Sequence, residues 1–396
     1  MERLAGVVRN YAWGSTTMLA GLRGEPASSE PEAELWFGTH PNGPSTLPER
    51  AGATLLSTVA EAPLDQLGPD VVDRFGHQLP FLLKLLAAAA PLSLQAHPSK
   101  EQARAGFAAE EEAGVDRSAP NRSFPDENHK PELIAAVTPF EALVGFRDAK
   151  KTATFLTELG LSDTAGFRGL LGVLLHDGPR AAFAAIVDPR GSGLDEFDLA
   201  EMSLSLGEAA GLYDGAWAEE AQLLRRLDRS HPGEPGVVAA VLLNHVFLEP
   251  GEALFLDAGV LHAYIGGLAV EVMANSDNVL RGGLTGKHID VSNLLDVLRP
   301  ESVDPEPLTV DPSGRYRSLA SEFSLSRLDK PVGREVRGPA IVLAVYEDAV
   351  AVDGSHQIPL APTEAVWLAD GERAELSSDG VLFAATVGPS TTLDPG

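Results

Sequence analysis

The chain has 396 residues, of which 44% are hydrophobic and 22% are charged, as is usual for a globular protein of two or three domains. Its net charge of -27 argues against partners such as nucleic acid or anionic membranes, because an acidic surface repels both. Cysteine is absent, which excludes disulfides and thiolate metal ligands. A bound metal would therefore need histidine, carboxylate or amide ligands.

Short apolar runs between glycines and prolines dominate the first 150 residues and predict strands joined by turns. One helix is expected there, from Ser99 to Gly114, where a serine N-cap precedes charged residues at helical spacing. The most apolar segment, Leu79 to Leu94, contains Lys84 and two prolines, and we interpret it as a buried strand rather than a membrane span. The amino terminus has no sustained apolar core, so we expect no secretory signal and a cytoplasmic location.

The pattern changes to a helical one between Asp148 and about His231. Segments such as AKKTATFLTEL, PRAAFAAIV and GAWAEEAQLLRRLDR are rich in alanine and leucine, with apolar residues at helical spacing. Strand patterns separated by turns resume at Val237 and continue to the carboxy terminus. The predicted fold is therefore mainly β, with a helical insertion.

Two segments of the chain resemble each other. Residues 248–256 (LEPGEALFL) and 360–368 (LAPTEAVWL) share the pattern L·P·EA··L. Six residues after the first segment stands His262, whereas Ala374 stands at the matching position after the second. We interpret the second segment as a structural copy that lacks the histidine, with chance similarity as the alternative.

A glutamine and a histidine stand two residues apart in PLSLQAHPSK, at the end of the apolar segment. Because residues i and i+2 of a strand point to the same face, Gln95 and His97 are expected to share one neighbourhood. His262, in DAGVLHAYIGG, stands where a strand bounded by glycines would place an imidazole at the mouth of a barrel. Both histidines are candidate ligands, although most isolated histidines are structural.

Glu132, in NHKPELIAAV, follows a proline and enters an apolar strand. A carboxylate in this position needs a partner, either a metal ion or a neighbouring lysine or arginine. Two histidines and one carboxylate suit Zn²⁺ and leave a position open for water or substrate. Glutamine is an unusual zinc ligand, so its chemistry alone would place Gln95 outside the coordination sphere.

Lysine is rare in this chain, with seven residues against 23 arginines. Four of the seven, Lys84, Lys100, Lys130 and Lys287, lie within or beside the polar segments of the chain. Lysine offers a compact charge with an adjustable pKa, so the clustering predicts an electropositive pocket for a phosphate or an enediolate.

The segment EVMANSDNVLRGGLTGKHID contains a turn, followed by Arg281 and two glycines that allow close approach of a ligand to the backbone. The alternative is a well-capped loop in which Asp277 accepts backbone hydrogen bonds. Considered alone, the segment favours that alternative.

Seven motifs, in the same order and spacing, resemble the type I phosphomannose isomerases. They are NYAWG, ELWFGTHPNGPS, LPFLLK, LSLQAHPSK, NHKPE, FLEPGEALFLDAGVLHAY and EVMANSDNVLRGGLTGKHIDV. The resemblance implies a cupin or jelly-roll β-barrel as the catalytic core and a second β-barrel at the carboxy end. The implied domains are 1–147 and 235–300 for the core, 148–234 for the helical insertion and 301–396 for the second barrel.

The resemblance also implies interconversion of mannose 6-phosphate and fructose 6-phosphate with one Zn²⁺ per chain. The implied zinc ligands are Gln95, His97, Glu132 and His262, so the family pattern overrules the chemical argument against glutamine. Arg281 matches the arginine that the family treats as catalytic, and His129 and Asp277 are both candidates for the proton carrier. The other matched pocket residues are Lys84, Lys130, Tyr264, Glu271 and Lys287.

Lys100 is a further candidate, because the helix that begins after Ser99 would help to bind a phosphate through its amino terminus. The family usually has proline where this chain has Gly286, and glycine loosens the loop that presents Lys287. Two alternatives remain: an isomerase of another sugar phosphate, and a cupin sugar-binding protein without catalysis. The latter would lack a ligand or Arg281, and none is missing. The expected state is a monomer that binds a small sugar phosphate, although no motif bears on the oligomeric state.

Overall fold

The computed structural model of the chain describes residues 1–188 and 194–390. The strands in this part of the chain are β1 Glu2–Leu4, β2 Val7–Arg9, β3 Glu34–Gly38, β4 Phe81–Ala88, β5 Leu94–Ala96, β6 Glu132–Ala136, β7 Phe140–Phe146, β8 Leu243–Leu248, β9 Ala253–Leu256, β10 His262–Ala274, β11 Leu280–Gly283, β12 Ser324–Asp329, β13 Arg334–Arg337, β14 Ala340–Tyr346, β15 Ala349–Asp353, β16 His356–Leu360, β17 Ala365–Leu368, β18 Arg373–Ser378 and β19 Val381–Thr386. The helices are α1 Met18–Leu22, α2 Leu55–Glu61, α3 Pro63–Phe75, α4 Lys100–Glu112, α5 Ala149–Glu158, α6 Ala165–Asp177, α7 Pro179–Val187, α8 Glu196–Leu212, α9 Ala218–Ser230, α10 Pro235–Ala240 and α11 Val291–Val297.

A ten-stranded antiparallel sheet forms the centre of the fold in the described residues. The long strand β10 organises it, because its first half pairs with β5 and β7 and its second half pairs with β4 and β6. The halves meet at Gly267, which has a φ of +119° and where a Cβ atom would lie 2.6 Å from the carbonyl oxygen of Pro139. Only glycine fits this bend. Because the bend divides β10 into two halves, the strands that carry the polar motifs meet at one end of the sheet.

Two further sheets, of five and four strands, form the carboxy-terminal part of the described chain. The larger runs in the order β1-β17-β14-β19-β12 and the smaller in the order β13-β18-β15-β16. Alternate residues of β14 face two different cores: Val342 belongs to the core of these two sheets, and Ile341 to a core shared with the ten-stranded sheet. The five-stranded sheet is therefore buried on both faces and supports the central sheet.

The first strand of the chain belongs to this carboxy-terminal part. β1 pairs with β17, with Glu2 opposite Trp367 and Leu4 opposite Ala365. The domain boundaries at residues 147, 234 and 300 stay predictions, and the first few residues join the sheet formed by the other end of the chain.

Helices α5 to α9 follow one another where the sequence predicts the helical insertion, apart from residues 189–193, which lie outside the described residues. Leu156, Leu206 and Leu224, from three of these helices, share a buried core with Leu94 and Leu143 of the central sheet. The predicted helix after Ser99 is also present as α4. Its N-cap hydroxyl accepts a hydrogen bond from the backbone N–H of Gln102.

The prediction that strands resume at Val237 is wrong, because α10 covers that position and β8 begins at Leu243. Pro235 begins this helix and residues 236–240 are all buried, and an apolar run of this length does not distinguish a buried helix from a buried strand.

The prediction of a mainly β fold with a helical insertion and a second β unit at the carboxy end is confirmed. The strand pairing of the described residues leaves all three sheets open, so the units are packed sheets rather than closed barrels. None of the helices in the described ranges has the length and apolar character that crossing a membrane requires.

The prediction of a single helix in the first 150 residues is wrong, because α1, α2 and α3 lie there as well. Helix α2 begins at a capping box formed by Thr54 and Ser57 and buries Leu55, Thr58 and Val59. These buried positions have the i, i+3, i+4 spacing of an amphipathic helix. This helix was not predicted because the glycines and prolines on either side of the segment indicated turns instead.

The two similar segments have the same local structure. In each, a strand ends, a turn follows and a new strand begins, from β8 to β9 and from β16 to β17. Gly251 and Thr363 occupy the same position in the two turns and have positive φ angles of +97° and +73°. In each turn the next residue, Glu252 or Glu364, accepts a hydrogen bond from the backbone N–H three positions earlier. The second segment is a structural copy of the first.

Candidate active site

Three strands bring the predicted metal ligands together at one end of the central sheet. His262 begins β10 and stands directly opposite Gln95 of β5. His97 directly follows β5, and Glu132 begins β6. The prediction that residues 95 and 97 share a neighbourhood therefore agrees with the structure.

The ligand atoms of His97, Glu132 and His262 all lie within 4.8 Å of one another, and the three residues are buried. Nε2 of His97 is 3.4 Å from Oε1 of Glu132, and Nε2 of His262 is 3.5 Å from Oε2 of the same carboxylate. The side-chain amide of Gln95 approaches to 3.3 Å from Nε2 of His262. The four residues thus form one compact polar cluster.

Backbone carbonyls fix the orientation of both imidazoles. Nδ1 of His97 is 2.7 Å from the carbonyl oxygen of Asn278, and Nδ1 of His262 is 2.9 Å from that of Val260. Because a carbonyl only accepts, each Nδ1 donates its proton and each Nε2 presents a lone pair to Glu132. Burial lowers the pKa of His97 to about 4, so its imidazole is neutral near pH 7.

The cluster fits a divalent metal ion on the chemistry of its donors. Nε2 of His97 is buried without a hydrogen-bond partner, and the nearest atom of Glu132 is a carboxylate oxygen, which also only accepts. Two facing acceptors with no proton between them favour a cation in this position, and Lys130 contacts the Glu132 oxygen but leaves Nε2 of His97 without a partner among the described residues. Two imidazoles, a carboxylate and an amide oxygen, with no thiolate, match zinc with an open position for substrate.

Glu132 is ionised in this environment. Burial opposes the charge, but the ammonium group of Lys130, whose Nζ lies 2.9 Å away, holds the pKa of Glu132 well below its usual range. Tyr264 donates a further hydrogen bond to the same carboxylate at 3.3 Å. The negative charge that a metal ion would meet is therefore already present.

A second buried network adjoins the cluster. Lys84 on β4 donates to Glu271 on β10 at 2.9 Å and lies 3.5 Å from Glu34 on β3. Tyr264 connects this network to Glu132, since its hydroxyl also lies 3.0 Å from Glu271. Burial and the charge of Glu132 raise the pKa of Glu271, although Lys84 acts in the opposite direction.

A cavity of about 350 Å³ opens beside these groups. Arg281, directly opposite Gln95 in the pairing of β11 with β5, lines it together with Lys287. Burial lowers the pKa of both cations, and for Lys287 the charge of Arg281 adds to the effect. Within residues 1–188 and 194–390, neither cation has a carboxylate partner, which leaves both free to bind an anion.

Most of the predicted site residues line this cavity. They are Lys84, Gln95, Lys130, Glu132, Tyr264, Glu271, Asp277, Arg281 and Lys287, with His97 and His262 buried behind Glu132. Lys100 and His129 are the exceptions. They line a separate, narrow cleft, where Nε2 of His129 is 2.7 Å from Oε1 of Glu322 and Lys100 contacts Asn128.

Sequence reasoning missed several residues of the cavity. Glu34, Trp36 and His40, on or just after β3, line it, as do two aromatic residues of the NYAWG motif, Tyr11 and Trp13. A signal for His40 was available, because the His-Pro step that ends LSLQAHPSK also occurs in ELWFGTHPNGPS. In both places a histidine follows closely on the end of a strand.

Comparison with known proteins agrees with this site. Residues 1–149 match the family described as phosphomannose isomerase type I, catalytic domain. The chain is 38% identical over 387 residues to the mannose-6-phosphate isomerase of Escherichia coli K12, covering 94% of this chain and 95% of that protein. It is 37% identical over 317 residues to the human mannose-6-phosphate isomerase, with coverage of 74% and 72%.

A solved structure extends the match to the whole fold. It is the mannose 6-phosphate isomerase of Salmonella typhimurium bound to fructose 6-phosphate and zinc, with a TM-score of 0.88 and 32% identity. The match covers 98% of this chain and 100% of that structure. Identity above 30% over nearly the entire length of both proteins leaves one conclusion: this chain belongs to the type I phosphomannose isomerase family.

Proposed function

We propose that this chain interconverts D-mannose 6-phosphate and D-fructose 6-phosphate and that its activity depends on zinc. One observation carries the proposal. The buried cluster of His97, Glu132 and His262 stands at the wall of a cavity that two cations also line. These cations, Arg281 and Lys287, have no carboxylate partner in the described part of the chain. The names of the relatives and the ligands of the Salmonella structure agree with a zinc site beside a sugar-phosphate site.

We assign the zinc ion to Gln95, His97, Glu132 and His262, one ion per chain. The chemistry that zinc supplies at such a site is Lewis acidity toward an oxygen of the sugar. The chain itself supplies the neutral imidazole of His97 and the ionised carboxylate of Glu132 that this requires. The Gln95 amide would present its oxygen, since the two ends of an amide are exchanged by a half-turn of the side chain.

Conversion of an aldose to a ketose moves a proton between C2 and C1 and needs a carrier beside those carbons. We assign this role to Asp277, because its carboxylate lines the cavity. His129, the other candidate, faces Glu322 in the separate cleft. Catalysis by His129 and phosphate binding by Lys100 would both require a path from that cleft to the cavity.

Arg281 and Lys287 are the groups that we assign to the phosphate and to the negative charge that develops on the sugar oxygens. Lys84, Tyr264 and Glu271 form the polar wall, and we assign them to the sugar hydroxyls. Lys130 lies between the wall and the zinc ligands, where its charge supports the ionised Glu132.

The test is to measure metal content and mannose 6-phosphate isomerase activity on one preparation, before and after chelation and after addition of zinc. We expect about one zinc ion per chain. Chelation should abolish the activity, and addition of zinc should restore it. His97→Ala should lose both zinc and activity, whereas His176→Ala, at an exposed histidine of α6, should keep both. Full activity in metal-free protein would contradict the proposal. Bound zinc without activity on this substrate would indicate another sugar phosphate or a sugar-binding protein.

We propose the domain division at residues 147, 234 and 300, with β1 attached to the last domain, and a cytoplasmic monomer. The run of consecutive helices from α5 to α9 supports the division, although these helices share a buried core with the central sheet. Light scattering on the purified protein would test the monomer, whose expected mass is the 41.7 kDa of one chain.

A further inference from the structure

His40 is a buried histidine outside the metal cluster, and it touches the group to which we assign the proton. It lies two residues after β3, and its side chain is 5% exposed. Nε2 of His40 is 3.2 Å from Oδ1 of Asp277. The edge of its ring packs against Trp36 with the ring centroids 5.0 Å apart, so the imidazole is held in place.

The backbone determines which nitrogen of His40 carries the proton. The N–H of Asn42 points at Nδ1 of His40 at 3.3 Å. A backbone N–H only donates, so Nδ1 accepts and, in the neutral ring, the proton is on Nε2. Nε2 therefore donates to Asp277. The turn that follows β3 thus holds the His40 imidazole in one tautomer and presents its Nε2–H donor to the cavity.

The same turn holds the second oxygen of the carboxylate. The side-chain amide of Asn42 donates to Oδ2 of Asp277 at 3.1 Å. From the other side, the backbone N–H of Asp277 donates to Asp126 at 2.7 Å. Both oxygens and the backbone of this residue are therefore tethered, although its side chain is 45% exposed at the cavity.

We propose that His40 is a positioning residue that orients the Asp277 carboxylate for proton transfer. The inference rests on the proposed function, in which Asp277 carries the proton. A carboxylate at an open cavity has two free torsions, and a misplacement of about 1 Å costs roughly a hundredfold in rate. The imidazole of His40, held by Trp36 and by the backbone N–H of Asn42, removes that freedom.

Charge supports the same assignment. The charged and titratable groups that act on Asp277 are His40, Lys130, Lys84 and Asp126. Burial opposes ionisation of Asp277, but the hydrogen bond from His40 and the two lysines lower its pKa below the ordinary value. Asp277 is consequently a carboxylate, able to accept a proton, throughout the neutral range.

The test compares His40→Phe, His40→Gln and the wild type in the zinc-loaded full chain. Phenylalanine keeps the ring beside Trp36 but removes the donor, whereas glutamine supplies a new N–H donor. For His40→Phe we expect kcat to fall by about a hundredfold and KM to change by less than about threefold, with unchanged zinc content. The acid limb of the kcat/KM profile should move to higher pH, because Asp277 loses a donor that stabilises its charged form. His40→Gln should recover part of kcat and return the limb toward wild type.

The matched control is His176→Phe, which removes a histidine that contacts an aspartate, Asp177, on the exposed surface. It should leave kcat and the pH profile unchanged. The proposal is overturned if His40→Phe keeps kcat within about threefold. A purely structural role of His40 would give a different result: kcat of His40→Phe falls, the acid limb of its kcat/KM profile does not move, and His40→Gln recovers no activity. That result would also overturn the proposal.

Failure of the proposed function has a different signature. In that case the wild type itself is inactive on mannose 6-phosphate, and the variants cannot be compared by rate. Titration of the Asp277 carboxyl by ¹³C NMR, assigned with Asp277→Asn, then tests the contact directly. The pKa of Asp277 should be higher in His40→Phe than in wild type, and equal values would overturn the inference.

Discussion

Lys84 and Glu271 stand directly opposite each other on neighbouring strands and form an ion pair that is almost completely buried. Their side chains are 7% and 3% exposed, and the charged atoms are 2.9 Å apart. Glu34 lies on the other side of the same ammonium group. One lysine therefore compensates two buried carboxylates at the wall of the cavity.

Replacement of Lys84 by methionine should destabilise the protein. The methionine fills the space of the lysine stem, but it leaves Glu34 and Glu271 without their cation. Removal of one partner from a buried ion pair typically costs about 3–5 kcal/mol in the free energy of unfolding. Urea denaturation measures this loss, and Lys151→Met, at a lysine whose side chain is 55% exposed, should change it by less than about 1 kcal/mol. Equal stability of the two variants would contradict the role of Lys84.

The two candidates for the proton carrier should respond differently to mutation. Asp277→Asn keeps the shape of the side chain but removes the base at the cavity, so kcat should fall by roughly 10²–10⁴-fold. His129→Gln changes a residue in the separate cleft, and we expect kcat to stay within about tenfold of wild type. Steady-state kinetics on mannose 6-phosphate checks both values. If His129→Gln lowers kcat more than Asp277→Asn does, His129 is the proton carrier.

The contact between His129 and Glu322 should make stability depend on pH. Burial opposes ionisation of Glu322, but the hydrogen bond from His129 lowers the pKa of this carboxyl below its ordinary value. A lowered pKa in the folded state contributes stability above the unfolded pKa of about 4.3, and that stability is lost as pH falls through the folded pKa.

Glu322→Gln should accordingly be less stable than wild type at pH 7, by about 1 kcal/mol, and the difference should shrink below about pH 4. Denaturant titrations at pH 7 and pH 3.5 give both differences. Glu306→Gln, at an exposed glutamate, is the control and should show no difference at either pH. A deficit of equal size at both pH values would mean that the charge of Glu322 is not involved.

Thr363 should be replaceable by glycine with a gain in stability. Its φ of +73° is strained for a residue with a branched side chain, and Gly251 fills the same position in the matching turn. Relief of the strain, less the greater freedom of glycine in the unfolded chain, should leave a gain of about 0.5–1 kcal/mol. Thermal unfolding measures it, and Thr154→Gly, inside α5, should instead lose a similar amount. A loss at both positions would contradict the strain argument.

The reverse exchange, Gly251→Thr, should destabilise the protein by about 1–2 kcal/mol, because a φ of +97° lies in the left-handed region that a residue with a side chain rarely adopts. A Cβ atom at this position would lie 1.6 Å from Nη1 of Arg327, a distance that requires the arginine to move. The two turns share their backbone but not their surroundings. A side chain in the first turn therefore also requires displacement of the Arg327 guanidinium.

Local rules indicated parts of the metal cluster, but the complete ligand set, including Gln95, followed only from the family resemblance. The alternation of a strand places Gln95 and His97 together, and a carboxylate entering an apolar strand points to Glu132. The polar wall was not predictable in the same way. Glu34 and Trp36 approach Lys84 only through the pairing of β3 with β4, a register that distant parts of the chain decide.

The separation of His129 from Lys130 has a similar origin. The two residues are neighbours in NHKPE, yet only Lys130 lines the cavity. Successive residues of an extended segment point to opposite sides, so the motif identifies the pair but does not determine which side faces the ligand. Which of the two residues faces the cavity depends on the contact of His129 with Glu322, a residue far away in the sequence.

The pairing of β1 with β17 has a consequence for how the protein is made. Synthesis starts at the amino end, so Glu2–Leu4 leave the ribosome long before Ala365–Leu368 exist. Until then the first strand has no partner on that edge, and the five-stranded sheet stays incomplete. The sheet can be completed only after residues 365–368 have been synthesised, and pairing between such distant segments is slow. The early segments of the chain therefore fold before the first strand finds its place in a sheet.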